Sequence, residues 1–383
     1  MFLLGKKIMI FDGGMGSELV KTGLQYKTPE DLNVTHPDVI KTIHKSYADA
    51  DFITTNTFGL NKFKYKGDYS ISLVAQKAID NARAAGKKVF FDIGPTGLLL
   101  KPFGTLGFDD AYEAFREVVL CSDGAVDGYI IETFSDLYEL KAAVLAVKEN
   151  SDKPVFATMT FDKTGRTLTG TTPEIMVAFL EEMGVDALGV NCSLGPKELY
   201  GVVRRILAAA HIPVIVQPNR GLPRLVDGVS VYDLTVEEFA ESVSEFAKIG
   251  ASVLGGCCGT SPSFISAIAK LKNTDVAPVQ NPPINAAVSY SKYVEITDGV
   301  QIEALDLDSG LTEDDAEDTA YEVLDLVEDG ADVITLEANG VEPRVVKVLI
   351  EKIQELSNAP LRLVSDDEAV QKCFRRYYNG VAK

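Results

Sequence analysis

Short apolar strands alternating with amphipathic helices predict an α/β chain: a (β/α)8 TIM barrel followed by a short partial α/β segment. Three observations carry this expectation. Eight strand–helix units follow one another between residues 7 and 271. Their strands are near-continuous apolar runs, the pattern of a parallel sheet buried on both faces. The stretch also has the length of a barrel of this kind. A doubly wound open sheet is the runner-up. It would carry a Gly-rich dinucleotide fingerprint after the first strand, and the spacing of Gly13, Gly14 and Gly16 does not match one.

Each unit is legible in turn. Lys7–Asp12 is a β-branched run ending at a glycine turn, and His36–Ala50 reads as a helix with Val39, Ile40, Ile43 and Tyr47 on one stripe. Strand Asp51–Thr55 and helix Ser72–Ala85 follow, then Val89–Ile93 with Asp109–Cys121, and Tyr129–Glu132 with Ser135–Glu149. The later pairs are Val155–Thr160 with Pro173–Met183, Ala187–Asn191 with Pro196–Ala210, Val214–Gln217 with Val236–Ile249, and Val253–Gly256 with Pro262–Leu271. The barrel is expected to span residues 1–275. Val276–Pro283 holds three prolines and opens a linker, residues 276–290. Residues 291–383 form a small acidic segment: a β-rich stretch, then helix Glu313–Glu328, strand Asp332–Leu336, helix Pro343–Leu356, strand Leu361–Val364 and helix Asp366–Tyr377. That is too short for a second complete barrel.

The formal net charge is -19, which disfavours nucleic acid and anionic membrane surfaces as partners. From Ile284 onward, 22 acidic residues face 9 basic ones, a net of -13. This is the composition of a solvated segment, or of a docking surface for a basic partner. Met1–Leu4 is apolar, but Lys6 and Lys7 interrupt it, so neither a signal peptide nor a membrane span is expected. Five cysteines without framework spacing fit a reducing, cytoplasmic setting, where thiols serve metals or catalysis.

Barrel chemistry sits at the C-terminal ends of the strands. Those ends carry Asp12-Gly13-Gly14, Thr55-Asn56-Thr57, Asp92-Ile93-Gly94-Pro95, Glu132-Thr133, Asn191-Cys192-Ser193, Gln217-Pro218-Asn219 and Gly256-Cys257-Cys258-Gly259. Strands six and eight lie within reach of each other across strand seven. Cys192, Cys257 and Cys258 therefore can form three corners of a tetrahedron around Zn²⁺ and leave the fourth open for a substrate thiol. Metal binding lowers a thiol's pKa, so a thiolate exists at neutral pH. A lone buried cysteine is ordinarily a packing residue, and Cys121 and Cys373 are read that way. The pair Cys257-Cys258 in a glycine run is not ordinary. Asp12 and Glu132 are candidate anchors for an α-amino group, and backbone N–H groups near Gly13 and Gly14 for a carboxylate. Asp12 reads equally as a turn residue. His36, His44 and His211 are placed on loops or helix surfaces, without a catalytic role.

These residues stand in runs that resemble the homocysteine S-methyltransferase family, in particular the homocysteine-binding module of cobalamin-dependent methionine synthases. The runs are FDGGMGSEL from Phe11, PEDLN from Pro29, TTNTFG from Thr54, DIGPTG from Asp92, ETFSDLYELKAA from Glu132, MTFDKTGRTLTGT from Met159, NCSLGP from Asn191, QPNRG from Gln217 and GGCCGT from Gly255. The resemblance implies that Cys192, Cys257 and Cys258 ligate zinc. It implies a homocysteine pocket that includes Asp12, Gly13, Gly14, Thr55, Asn56 and Glu132. It makes Asn219 a possible fourth, oxygen-donating ligand that the thiol displaces. DDAEDTAYEVLDLVEDGADVITLEANG from Asp314 resembles the opening of the methyltetrahydrofolate-binding (pterin-binding) barrel. It departs at Thr335-Leu336-Glu337, where that family carries an Asp-Asn type motif, and a complete folate site is not expected. The implied activity is methyl transfer to homocysteine, giving methionine. The donor would be a methylcobalamin-bearing corrinoid protein in trans, or S-methylmethionine. Methylation of another thiol and a non-catalytic subunit that binds homocysteine or zinc are the alternatives.

Overall fold

The structure is a computed structural model, which describes residues 7–122, 124–222, 224–226, 229–276 and 281–381. The apolar Met1–Leu4 and part of the expected linker, residues 277–280, lie outside the described residues. The chain runs β1 (Met9–Ile10), α1 (Met15–Lys21), α2 (Leu32–Thr35), α3 (Pro37–Ser46), β2 (Phe52–Thr54), α4 (Ile71–Arg83), β3 (Lys88–Ile93) and α5 (Phe108–Ser122). It continues with β4 (Gly128–Phe134), α6 (Leu137–Asn150), β5 (Val155–Met159), α7 (Pro173–Glu182), β6 (Ala187–Asn191), α8 (Pro196–Ala209) and β7 (Val214–Gln217). A hairpin of β8 (Arg224–Val226) and β9 (Val229–Val231) precedes α9 (Val236–Ile249), β10 (Val253–Leu254) and α10 (Pro262–Ala269).

Eight parallel strands lie in the order β1-β10-β7-β6-β5-β4-β3-β2. A parallel bridge between Phe11 and Phe52 and the Asp51 N–H donating to the Ile10 carbonyl (2.7 Å) join the two ends, closing the (β/α)8 barrel. The interior is a layer of Phe11, Phe52, Phe90, Ile130, Phe156, Ala187, Ile215 and Val253, all fully buried. Ring centroids of its phenylalanines lie 4.8–6.2 Å apart. Aromatic pairs at such separations add roughly 0.5–1.5 kcal/mol each beyond their burial. A larger apolar shell packs the helices onto the outside of the sheet.

Two departures from the sequence reading matter for the site. The regular strands β1 and β10 are only two residues long, and Phe11 beyond β1 pairs with the barrel through a single bridge to Phe52. Strand β4 runs past Glu132 to Phe134, and its register against β5 shifts between Ile131 and Phe134. That irregularity puts Thr133 at φ 66°, in the left-handed region that a β-branched residue rarely adopts. His44, expected on a helix surface, is wholly buried on α3. It stands four residues after buried Ile40, so it completes the inward stripe of that helix.

The stretch expected as linker contains a strand, β11 (Ala286–Ser289), which pairs antiparallel with β12 (Tyr293–Glu295) and β16 (Gly380–Val381). Between them lie three βα units: β13 (Ile302–Asp306), α11 (Ala316–Glu328), β14 (Val333–Glu337), α12 (Pro343–Leu356), β15 (Leu361–Val364) and α13 (Glu368–Tyr377). Their strands form a parallel sheet with an apolar core of its own. This segment is docked on the barrel. The Lys141 ammonium donates to the Tyr378 carbonyl, the Tyr138 hydroxyl donates to the Tyr377 carbonyl (2.8 Å), and Lys347 pairs with Asp109 (2.7 Å). Among the described residues no helix is long and apolar enough to cross a membrane.

Candidate active site

The ends of β6 and β10 carry the three cysteines to one place. Their sulfurs all lie within 4.8 Å of one another, and Cys192 Sγ is 3.9 Å from Cys258 Sγ. The local backbone explains the convergence. Cys192 and Ser193 both take positive φ (57° and 53°), which turns the chain sharply at the strand end. Cys192 N–H donates to the Gln217 carbonyl (3.0 Å) and Cys257 N–H to the Pro218 carbonyl (2.9 Å), so both loops hang from the end of β7. Gly14 and Gly256 keep the approach open: a Cβ on Gly14 would stand 2.7 Å from the Cys257 carbonyl, and one on Gly256 2.3 Å from the Thr260 hydroxyl.

This triangle fits a tetrahedral ion. Zinc–thiolate bonds of about 2.3 Å require ligand sulfurs about 3.8 Å apart, close to the separation found. The thiols also titrate together. Hydrogen bonds from Cys192 and Cys257 hold Cys258 down at about 3, while the same contacts push Cys257 well above the ordinary thiol range. Tyr232, whose hydroxyl also bonds Cys258, was not singled out by the sequence reading. It lies just after β9, with no strand-end signal to mark it.

Buried carboxylates gather at the same mouth, Glu132 within reach of the Cys192 charge. Asp12 is buried and accepts from the Thr54 N–H (2.9 Å) and the Thr54 hydroxyl. Burial pushes Asp12 up to about 7, against those bonds. Burial, then the neighbouring Cys192 and Asp12 charges, push Glu132 up to about 8. Asp92 ends β3 and is also raised, by burial first and the Glu132 carboxylate second. Asp92 Oδ1 and, at the end of β7, Gln217 Oε1 are buried without a protein partner. Unpaired buried acceptors cost roughly 1–3 kcal/mol each unless a ligand supplies the donor. Neither residue was among the expected site residues, although both stand at strand ends.

Other expected site residues face inward to the protein. Thr55 accepts from the Asp92 N–H (3.0 Å) and pairs with Thr57 (2.7 Å). Asn56 donates to the Pro29 carbonyl (2.8 Å). Gly14 N–H donates to the Thr260 carbonyl (3.1 Å), and Gly13 packs against Thr260 and Tyr47. Asn219 Oδ1 accepts from the Cys258 N–H (3.1 Å), which holds the amide beside the cysteines. Cys121 and Cys373 lie outside this cluster.

A closed parallel barrel with three convergent thiols and buried carboxylates at its mouth defines a class: a (β/α)8 barrel with a thiol cluster at the C-terminal ends of its strands. The sequence model of the homocysteine S-methyltransferase family matches residues 9–271. The chain belongs to that family, and so to the methyltransferases. It is 36% identical over 296 residues to the methionine synthase of Mycobacterium tuberculosis, covering 70% of this chain and 25% of that protein. The methionine synthase of Mycobacterium leprae is 36% identical over 295 residues, 70% of this chain and 24% of that protein. The chain thus spans about a quarter of the length of these curated relatives. The metallated form of the homocysteine methyltransferase MmuM from Escherichia coli shares the fold, with a TM-score of 0.59 and 21% identity over 69% of this chain and 96% of that one.

Proposed function

We propose that this chain transfers a methyl group to the thiol of homocysteine, giving methionine, with Cys192, Cys257 and Cys258 holding Zn²⁺. The observation that carries this reading is the sulfur triangle of metal-ligating size facing the carboxylates of Asp12, Glu132 and Asp92. Zinc held there would supply the lowered thiol pKa that makes a thiolate abundant at neutral pH. The carboxylates receive the α-ammonium and aim the substrate sulfur at the cysteine corner. Gly13 and Gly14 shape the adjoining wall, Thr55 and Asn56 brace it, and Asn219 steadies the Cys258 loop. In the transfer, the substrate sulfur loses its proton to solvent, a carbon–sulfur bond forms, and the donor–methyl bond breaks. The thiolate is the nucleophile, so the attack on the methyl carbon itself requires no general base.

The donor we favour is a methylcobalamin-bearing corrinoid protein acting in trans, with S-methylmethionine as the small-molecule alternative. The likeness to one portion of methionine synthases supports the corrinoid route. On this reading residues 1–275 are the catalytic unit, residues 276–290 join it to the acidic segment 291–383, and the protein works in the cytoplasm.

Zinc content and homocysteine methylation, measured on the wild type and on Cys257→Ser/Cys258→Ser, test the proposal. Methylcobalamin and S-methylmethionine are supplied in turn. About one zinc per chain is expected, lost together with turnover in the double variant. A folded, metal-free wild type that uses neither donor would refute the reading and favour a non-catalytic binding subunit.

A further inference from the structure

The two halves of the site share one side chain. Asn191 closes β6 immediately before Cys192 and is wholly buried. Its Oδ1 accepts from the Thr133 N–H (2.9 Å) and the Thr158 hydroxyl (2.8 Å). Its Nδ2 donates to the Thr133 hydroxyl (2.7 Å) and reaches Cys257 Sγ at 3.8 Å, within range of an N–H···S bond. Both donor hydrogens and both acceptor positions of the amide are therefore engaged. Such a fully satisfied buried amide has one orientation.

Thr133 is where that orientation matters. It sits in the irregularity of β4, at φ 66°, directly after Glu132. Left-handed backbone is strained at a β-branched residue and persists only when its surroundings impose it. Asn191 grips Thr133 at both backbone and side chain, and so imposes it. The bend in turn sets the direction in which Glu132 leaves the strand. An asparagine at this position thus ties a carboxylate of the amino-acid pocket to a sulfur of the metal corner.

We infer that Asn191 is a positioning residue that couples the two ends of the site: it fixes Glu132 through Thr133, and it orients Cys257 as a ligand by donating to its sulfur. The inference rests on the proposed function: on its zinc for the sulfur half, and on its homocysteine for the Glu132 half. An N–H···S bond withdraws charge from a thiolate and fixes its lone pairs, as outer hydrogen bonds do for other metal ligands.

The test uses the full chain loaded with zinc, two readouts independent of methyl donor, and three variants. Homocysteine affinity is measured by calorimetry, and zinc release by the rate of transfer to a chromogenic chelator. Asn191→Ala removes both functions and is expected to weaken homocysteine binding at least tenfold and to speed zinc release at least tenfold. Asn191→Asp keeps the acceptors for Thr133 and Thr158 but donates nothing to sulfur. It keeps the backbone grip on Thr133 and loses the donation to its hydroxyl, so homocysteine binding should weaken less than in Asn191→Ala, while zinc release speeds as much, with a shifted thiolate-to-metal charge-transfer band in the Co²⁺-substituted protein. Thr133→Val keeps a β-branched side chain at the strained φ and drops the hydroxyl grip, and should weaken homocysteine binding while zinc release stays at the wild-type rate. It also serves if Asn191→Ala fails to fold. Affinity and release both within twofold of wild type in Asn191→Ala would overturn the coupling, as would a Thr133→Val variant with unchanged homocysteine affinity. A wild type that takes up zinc but no homocysteine would instead refute the proposed function and the Glu132 half together, and the zinc-release ratio would then decide the sulfur half alone.

Discussion

Asp12 illustrates how a single residue trades stability for binding. Its carboxyl is pushed up to about 7 by burial, against an ordinary value of 3.8, so the folded chain holds a proton that the unfolded chain has released. The residue's contribution to stability is therefore fully present at low pH and is lost as pH rises through about 7. An ammonium group brought beside it reverses the preference and favours the carboxylate. Asp12→Asn is expected to melt higher than wild type at pH 8 and to bind homocysteine at least tenfold more weakly, since a charged partner is worth roughly 1.5–3 kcal/mol. Thermal melts and calorimetry at pH 8 check both parts. Equal affinity would remove Asp12 from the ammonium subsite.

At the scale of an element, helix α3 carries a liability inside its apolar stripe. His44 is wholly buried and neither ring nitrogen has a partner. Burial pushes it down to about 4 from an ordinary 6.5. Between those values the unfolded chain binds the extra proton, so stability is full above pH 6.5 and falls as pH drops toward 4. At pH 5 the loss relative to pH 7.5 is about 2 kcal/mol from this residue. Urea unfolding of His44→Leu at the two pH values should show a difference smaller than wild type by about that amount. Parallel shifts in the two proteins would mean that the histidine finds a partner in solution.

For the whole molecule, the question is whether the acidic segment is a tethered passenger or part of the barrel's fold. Its contacts argue for the second. Arg376 on α13 stands 4.3 Å over the Tyr112 ring on α5 and pairs with Glu149 on α6 (3.0 Å). Lys141, only 2% exposed on α6, donates to the Tyr378 carbonyl, and the segment's Val381 joins the barrel's apolar shell together with Ala286 and Val288 of the stretch that leads into it. Burial pushes Lys141 down to about 7, so its amine depends on the segment for its partner. Arg376→Ala should cost about 1–2 kcal/mol and make the segment more open to limited proteolysis than the barrel. A melt unchanged within error, with unchanged cleavage, would show that this contact contributes little to docking.

The amino-acid sequence by itself determined the barrel, the course of its strand–helix units and the meeting of three cysteines at one end of it. Each of these follows from local signals: apolar runs and helical periodicity, and chemistry placed at the ends of strands whose spatial order the fold dictates. Strands β6 and β7 and helices α9 and α12 fall where periodicity places them, residue for residue. The tertiary structure alone decided which strand-end side chains face the mouth. Thr55 and Asn56 stand in the same kind of position as Asp12, yet their hydrogen bonds turn into the protein. Asp92, Gln217 and Tyr232 carry no local signal that separates them from ordinary strand-end or loop residues. The displaced register of β4 and the clamp at Asn191 depend on partners 58 residues apart in sequence. The burial of His44 depends on which residues close its helix stripe. Periodicity reports which face of an element is apolar, but a hydrogen-bond partner distant in the chain is chosen only when the barrel closes and brings the strand ends together.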